Sequence, residues 1–142
     1  MDQSLGNYTY GKGFDKEMKI QDKDKEKLLP TIIAIDFDGT LVENRYPDIG
    51  EPILPVWKAA FHAKAQGHKL ILWTSRTGDH LDRAVKFCKE KGLTFDAVND
   101  NIDEVKALGW DARKVFATMY IDDRMGTVDF GSYFAPMTHC TF

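Results

Sequence analysis

The sequence predicts an α/β fold, a three-layer Rossmann-like architecture with a central, mostly parallel sheet. From residue 31 onward, short apolar runs alternate with segments whose apolar residues have helical spacing, which is the pattern of strands joined by crossover helices. Three of the four apolar runs end in a polar residue, namely Asp36, Thr74 and Asp122. Because parallel strands bring their carboxyl ends to one edge of the sheet, where ligands bind, we expect these residues to converge on one site.

The first strand and helix are predicted at the start of this pattern. Thr-Ile-Ile-Ala-Ile at 31–35 is a continuous apolar run, as expected of a central strand buried on both faces. Residues 43–50 are polar and turn-rich, which favours a loop. Pro55 falls in the first turn of the following helix, and Gly67 ends that helix. The apolar stripe of the helix, which we assign to the core, consists of Ile53, Val56, Trp57, Ala60 and Phe61.

The alternation continues to residue 121. Further strands are predicted over residues 69–73, 95–98 and 115–121. A helix after Thr77 carries an apolar stripe made of Leu81, Ala84, Val85 and Cys88, and a short helix is predicted over residues 102–108. The tail over residues 127–142 is expected to add an edge strand and a packing segment through Phe130, Tyr133, Phe134 and Met137.

The length of 142 residues allows one domain with a full core. We assign residues 31–142 to a catalytic domain and residues 1–30 to a charged N-terminal arm, either disordered or docked, because acids and lysines alternate there. The net charge of −3 does not indicate nucleic-acid binding. The first ten residues do not resemble a signal peptide, no apolar stretch reaches membrane-spanning length, and Cys88 and Cys140 have no metal-ligand spacing. We therefore expect a cytoplasmic protein with no membrane partner.

Four carboxylates fall at two of the strand ends. Asp36 and Asp38 flank Phe37, and Asp122 is adjacent to Asp123. If the two strands are neighbours, the mutual repulsion of these side chains destabilises the site unless a cation lies among them. An all-carboxylate set suits Mg²⁺, whereas the absence of His and Cys at these positions disfavours Zn²⁺.

A carboxylate beside bound Mg²⁺ can act as a nucleophile. Asp36 could then attack phosphorus and form an aspartyl-phosphate, while a second carboxylic acid protonates the leaving oxygen and later activates water. Thr74 and Lys114 are the candidates for binding the phosphoryl oxygens, with Lys106 as a rival for the lysine role. Each residue also has a structural interpretation. Asp36 could be a helix cap or turn former, Thr74 could cap the next helix, and Asp122 and Asp123 could form an ordinary turn. Lys114 could be a solvated charge, as lysines usually are.

The polar residues lie within segments that have the order of a known set of motifs. Ile-Ala-Ile-Asp-Phe-Asp-Gly-Thr-Leu at 33–41 resembles motif I of the haloacid dehalogenase (HAD) superfamily. Leu-Ile-Leu-Trp-Thr-Ser-Arg at 70–76 resembles motif II, and Met-Tyr-Ile-Asp-Asp at 119–123 resembles motif IV. Lys114 precedes Asp122 by eight residues, a position that fits the motif III lysine.

The resemblance implies a role for each matching residue. Asp36 would be the nucleophile and a Mg²⁺ ligand, and Asp38 would be the general acid/base and a ligand through its backbone carbonyl. Asp122 would ligate the metal, with Asp123 binding it directly or through water. The phosphoryl group and the rest of the substrate would be contacted by Thr74, Ser75, Arg76 and Lys114. An acid at position 38 favours phosphatase over dehalogenase chemistry.

The spacing of the motifs leaves no room for the cap domain that members of the superfamily usually insert. Thr74 follows Asp36 by 38 positions, and Lys114 follows Thr74 by 40. The resemblance therefore implies a capless member that acts on a phosphorylated substrate of unknown identity, with a large substrate or a second subunit of a homo-oligomer closing the site. The edge of the site is expected to be built from the loops over residues 42–50, 76–79 and 99–101. Arg76 and Arg124 could hold a second anionic group there, and Asn99 could line the same rim, or these residues could be solvated loop residues.

Two other functions fit part of the pattern. A non-catalytic phosphate-binding or phosphoryl-receiver module would need Asp36 but not Asp38. A glycosyltransferase with an Asp-x-Asp metal motif would leave Thr74 and the Asp122–Asp123 pair unexplained. We therefore favour a Mg²⁺-dependent phosphatase, a phosphoric monoester hydrolase.

Overall fold

The computed structural model describes residues 21–125, together with the backbone of residues 7–9 and 17–19. The predicted tail over residues 127–142, which includes Cys140, lies outside the described residues. Within the part of the chain that is described, no helix has the length and apolar composition needed to cross a membrane.

Helices and strands alternate along the described chain. The strands are β1 (Asn7–Thr9), β2 (Glu17–Lys19), β3 (Ile32–Ile35), β4 (Val42–Arg45), β5 (Asp48–Pro52), β6 (Lys69–Leu72), β7 (Ala97–Val98) and β8 (Met119–Ile121). The helices are α1 (Asp22–Lys25), α2 (Leu54–Ala65), α3 (Gly78–Glu90) and α4 (Asp103–Ala107), and a 3₁₀ turn (Glu26–Leu28) follows α1. In the predicted N-terminal arm, β1 pairs antiparallel with β2.

Four parallel strands form the central sheet, in the spatial order β7-β6-β3-β8. Ile35 pairs with Leu72 on one side and with Ile121 on the other. The chain order therefore reverses between β3 and β8, and ligands of open α/β sheets bind beyond the carboxyl ends of the strands at such a reversal. The predicted α/β fold with a parallel sheet is confirmed, and the sheet is compatible with a Rossmann-like fold.

The side chains of β3 point alternately to two apolar clusters. Ile33 and Ile35 pack with residues of α2 and α3, whereas Ile32 and Ala34 pack with residues of α4 and of the segment before β8. All four side chains are buried. The continuous apolar run of this strand thus reflects burial on both faces, as the sequence predicts.

Trp57 anchors α2 to the segment that joins β3 to β4. Its side chain is buried, and its indole Nε1 donates a hydrogen bond to the carbonyl of Leu41 at 2.6 Å. Phe61, which the sequence assigns to the core, is 40% exposed, so that assignment is wrong. Ala60 and Ala63 occupy the buried face of the helix instead, and Phe61 lies beside Trp57 at the edge of the apolar stripe.

The predicted loop over residues 43–50 is instead a β-hairpin formed by β4 and β5. The two strands pair antiparallel from Val42 and Pro52 to Arg45 and Asp48, with an irregularity in register. A Cβ atom at Gly50 would overlap the backbone carbonyl of Glu43, so the close approach of the two strands requires glycine there. The sequence did not indicate this hairpin, because its side chains are mostly polar and exposed and show no apolar alternation.

The strands β7 and β8 are shorter than predicted, since they begin at Ala97 and Met119 and not at residues 95 and 115. An irregular segment precedes β8. Residues 110–118 contain no helix or strand, and the buried side chain of Asn101 holds part of this segment in place. Its Oδ1 accepts from the amide of Phe116 at 2.7 Å. Its Nδ2 donates to the carboxylate of Asp111 at 3.2 Å and to the carbonyl of Ala112 at 3.4 Å.

Replacing Asn101 by Ala should lower the free energy of unfolding by about 2–3 kcal/mol, because buried backbone groups lose their partners. Chemical denaturation with urea measures this loss. The adjacent exposed residue gives a control: Asp100→Ala removes an ion pair with Lys106 and a hydrogen bond from the amide of Asn101, and should cost about 1 kcal/mol. Equal losses for the two variants would contradict the bracing role of Asn101.

Candidate metal and active site

Three carboxylates converge at the carboxyl edge of the sheet, where the strand order reverses. Asp36 directly follows β3, and Asp122 and Asp123 directly follow β8. One carboxylate oxygen from each lies within 4.8 Å of the others. The parallel pairing of the strands explains this proximity, since it extends to a hydrogen bond of 2.9 Å from the amide of Asp36 to the carbonyl of Ile121.

The turn after Asp36 is shaped around this cluster. Gly39 has a φ of +86°, and a Cβ atom there would overlap the carboxylate of Asp123. The buried hydroxyl of Thr40 donates to Asp36 Oδ2 at 3.4 Å and accepts from the amide of Asp123 at 3.0 Å. The Gly39-Thr40 step therefore makes room for one carboxylate and links it to another.

The electrostatics of the cluster favour a proton or a cation among the carboxylates. The pKa of Asp36 is raised to about 7, first by burial, then by the charge of Asp122 and by a hydrogen bond shared with Asp123. A backbone hydrogen bond from Phe37 lowers the pKa and opposes part of this shift. Two negative charges that are so close repel each other strongly outside bulk water, so the fully ionised cluster requires a counter-charge.

The donor set fits a hard divalent cation. All three side chains offer carboxylate oxygens, which suit Mg²⁺, Ca²⁺ or Mn²⁺ better than softer metals. Asp36 and Asp122 are half-buried and Asp123 is exposed, so the protein encloses only one side of the cluster. An open side leaves positions for water and for a ligand, as Mg²⁺ sites commonly do. The cluster can therefore bind a metal.

A cleft of about 450 Å³ opens beside the cluster. It brings together many of the residues singled out in the sequence, because the ends of β3, β6 and β8 and the β4–β5 hairpin meet there. The lining residues are Asp36, Asp38, Asn44, Tyr46, Thr74, Ser75, Arg76, Asp122 and Arg124.

Thr74 is held in the cleft by its backbone. Its amide donates to Asn99 Oδ1 at 2.8 Å, and its hydroxyl accepts from the amide of Arg76 at 3.2 Å. Asn99 has a φ of +49°, a conformation that asparagine tolerates better than most residues. Asn99 thus fixes the loop that follows β6, and the neighbouring Ser75 is exposed.

Asp38 lines the same cleft, but its carboxylate binds Arg76 and is not part of the acidic cluster. Its two carboxylate oxygens accept from Nε and Nη2 of Arg76, both at 2.7 Å, in a bidentate ion pair. This arrangement is shielded, since the side chain of Asp38 is 15% exposed and that of Arg76 is 1% exposed. The sequence placed both residues near the site but did not indicate that they bind each other.

Arg76 has no N–H group to spare in this arrangement. Besides the two bonds to Asp38, Nη1 donates to the carbonyls of Pro47 and His80 at 3.1 and 3.3 Å, and Nη2 donates to the carbonyl of Asp48 at 2.9 Å. An arginine has five N–H donors, and these five bonds use all of them. Arg76 could contact a phosphate only after giving up protein partners.

The structure does not bring Lys114 to the cleft. Its Nζ lies over the ring of Tyr120, 5.2 Å from the centroid, in a second cleft of about 620 Å³ that includes Trp110 and Phe116. Lys106, the rival candidate, is exposed and donates to Asp100 Oδ2 at 2.6 Å. Asp100 follows the carboxyl end of β7, whereas Asn101 turns away to brace residues 110–116.

Sequence reasoning missed several residues that shape the site. Asn44 and Tyr46 line the cleft. The sequence predicted that their segment lies near the site, but as a loop and not as a hairpin. Thr40 links the ends of β3 and β8 through its hydroxyl. Its position in the Asp-x-Asp-Gly-Thr motif was the sequence feature that could have indicated this role. No local pattern pointed to the bond between Asn99 and the backbone of Thr74.

These features define an α/β protein whose parallel sheet carries a carboxylate cluster at its strand-order reversal. A solved structure described as a conserved protein from Bacteroides thetaiotaomicron is 41% identical to this chain, with a TM-score of 0.62. The match covers 68% of this chain and 78% of the other. The chain belongs to the same family as that conserved protein. No protein-family model matches the sequence, and neither does any curated protein.

The raised pKa of Asp36 predicts a pH dependence of stability in the presence of a chelator. Because the pKa is about 7 in the folded protein and near 4 when unfolded, only the folded state holds this proton between those values. The contribution of Asp36 is therefore lost as the pH rises from about 4 to about 7. Asp36→Asn cannot titrate, so its melting temperature should rise relative to wild type across that window. A constant difference from pH 4 to pH 8 would contradict the raised pKa.

Proposed function

We propose that this protein is a Mg²⁺-dependent phosphatase of the HAD type that hydrolyses phosphate monoesters through an aspartyl-phosphate on Asp36. The observation that carries the proposal is the carboxylate cluster formed by Asp36, Asp122 and Asp123 at the edge of the parallel sheet. The shape of the turn at Gly39 supports it, because that turn accommodates the carboxylate of Asp123. The order of the HAD-like motifs along the sequence points to the same chemistry.

Asp36, Asp122 and Asp123 would hold the cation on one side of the cleft. Bound Mg²⁺ would screen the charge of a phosphoryl group and stabilise the charge that develops during transfer. Asp36 would give up its proton in that state, since its pKa is raised by burial and by the charge of Asp122, and a bound cation would offset both effects. The remaining oxygen of its carboxylate would then be free to attack phosphorus. Thr74, which lines the same cleft, would orient the phosphoryl oxygens.

Asp38 would serve as the general acid and base. It is two residues from the nucleophile and lines the same cleft. Each carboxylate oxygen keeps a second lone pair while it accepts from Arg76, so Asp38 would be able to take up and release a proton without breaking the ion pair. The position of Arg76 would then set the direction in which Asp38 presents that proton.

We further propose that the domain has three layers and no cap. The chain between Asp36 and Thr74 is used by the β4–β5 hairpin, α2 and β6, and the chain between Thr74 and Lys114 is used by α3, β7 and α4. The hairpin would then be the main wall over the cleft. A large phosphorylated substrate or a second copy of the chain would exclude water more fully than this short wall.

A phosphoryl-receiver module is a second candidate, favoured by one observation. The bidentate ion pair with Arg76 restrains the carboxylate that turnover would need, whereas a receiver needs only the acceptor carboxylate and the cation. A receiver would retain the phosphoryl group on Asp36 after exposure to a small phosphodonor. A phosphatase would release inorganic phosphate repeatedly, so multiple turnover distinguishes the two functions.

The test is turnover of an aryl phosphate and an alkyl phosphate by the full chain, with Mg²⁺ or with a chelator. We expect Mg²⁺-dependent release of phosphate, and a loss of about 10³-fold or more in Asp36→Asn, because the amide is a poor nucleophile and lacks the metal-binding charge. Asp82→Asn, at an exposed position of α3, is a matched control and should retain activity. Turnover in Asp36→Asn at the wild-type rate would exclude Asp36 as the nucleophile.

The two lysine candidates are tested together, because neither lines the cleft beside the carboxylate cluster. Lys106→Ala should stay within about twofold of wild type, because the ammonium of Lys106 binds Asp100 at an exposed position. Lys114→Ala should stay within about twofold of wild type, because Lys114 contacts Tyr120 in the other cleft. Steady-state kinetics of the two variants measures both values. A large loss for Lys114 alone would restore the assignment made from the sequence.

A further inference from the structure

We propose that Arg76 is a positioning residue that couples the β4–β5 hairpin to the orientation of the Asp38 carboxylate. The catalytic consequence of this inference rests on the proposed function, whereas the coupling itself does not. The geometry that points to it is the sharing of one buried guanidinium among Asp38, the hairpin turn and the carbonyl of His80 in α3.

One planar group makes these connections. The edge of the guanidinium formed by Nε and Nη2 faces Asp38. One further N–H of Nη1 and one of Nη2 donate to the carbonyls of Pro47 and Asp48 at the hairpin turn, and the second N–H of Nη1 donates to the carbonyl of His80. The N–H groups of a guanidinium have fixed directions within its plane. A rotation that follows a movement of the turn therefore misaligns the bonds to Asp38, and the reverse is equally true.

Two aromatic rings restrict movement out of that plane. The Arg76 Cζ atom lies 5.0 Å from the ring centroid of Phe37 and 5.1 Å from that of Tyr46. Phe37 is buried in the core, but Tyr46 belongs to the hairpin and is 55% exposed. The hairpin thus contacts the guanidinium through a side chain as well as through two carbonyls.

The same hairpin forms a wall of the cleft. Asn44 and Tyr46 line it, so a group of the substrate bound there would contact the hairpin. Contact that steadies the hairpin would also steady Arg76, and through it the carboxylate of Asp38. The guanidinium of Arg76 would thereby link binding of the leaving group at the hairpin to the orientation of Asp38. It would do so without contacting the phosphoryl group or the metal.

Hydrogen exchange tests the coupling without any assay of activity. Asp38→Asn removes a charge-assisted bidentate pair and should increase exchange of the hairpin amides over residues 44–52 by about 10–100-fold relative to those of β6. Glu43→Gln is a matched control on the hairpin, because it loses only an exposed ion pair with Arg45. Unchanged hairpin exchange in Asp38→Asn, or an equal increase in Glu43→Gln, would overturn the coupling.

Kinetics of Arg76→Lys tests the positioning role, since lysine keeps the charge but not the fork. We expect kcat for an alkyl phosphate to fall by about 10²-fold, kcat for an activated aryl phosphate to fall much less, and KM to remain within about twofold. The same substitution in Asp38→Asn should have no further effect on the alkyl phosphate. Arg45→Lys, at an exposed arginine of the hairpin, should change none of these values.

An increase in KM with equal losses on both esters would instead identify Arg76 as a phosphate-binding residue and overturn the positioning role. If Arg76→Lys does not fold, Tyr46→Leu removes one ring from the exposed side and should produce the same preference for the aryl ester on a smaller scale. Equal losses on the two esters in that variant would also contradict the proposal. Absence of turnover in the wild-type protein would reject the proposed function and leave the exchange experiment to decide the coupling.

Discussion

Repulsion between carboxylates is the interaction on which the candidate site depends. Parallel pairing of β3 with β8 brings Asp36 and Asp122 together, and the pKa of Asp36 is raised first by burial and then by the charge of Asp122. The adjacent turn does not relieve the repulsion, because Gly39 and Thr40 hold Asp123 close as well. The fold thus holds like charges close together, and a bound cation would make the net electrostatic energy of the cluster favourable.

The two acids of the first motif have opposite surroundings. Asp36 faces other carboxylates, while Asp38, two residues along, faces a buried guanidinium. The two carboxylates therefore meet charges of opposite sign although only Phe37 lies between them in the chain. The division follows from the backbone: the turn after β3 directs Asp36 toward β8 and Asp38 toward the loop after β6 and the hairpin.

The sequence was sufficient for the features that depend on local pattern. The apolar run of β3 predicted burial on both faces, and the polar residues after the strands predicted the meeting of Asp36 with Asp122. Features that depend on packing between distant segments could not be derived in this way. The position of Lys114 along the chain does not say which side of the sheet it occupies, and the bond between Arg76 and Asp38 spans 38 positions. The hairpin was missed because its polar strands carry little hydrophobic signal.

The attachment of the hairpin through main-chain oxygens has a consequence for divergence within the family. Arg76 binds the carbonyls of Pro47 and Asp48, which persist whatever side chains occupy those positions. Residues on the cleft side of the hairpin, such as Asn44, can therefore be exchanged while the attachment stays intact. A wall that is anchored by its backbone can therefore change its side chains, and with them the surface of the cleft, without disturbing the ion pair between Arg76 and Asp38.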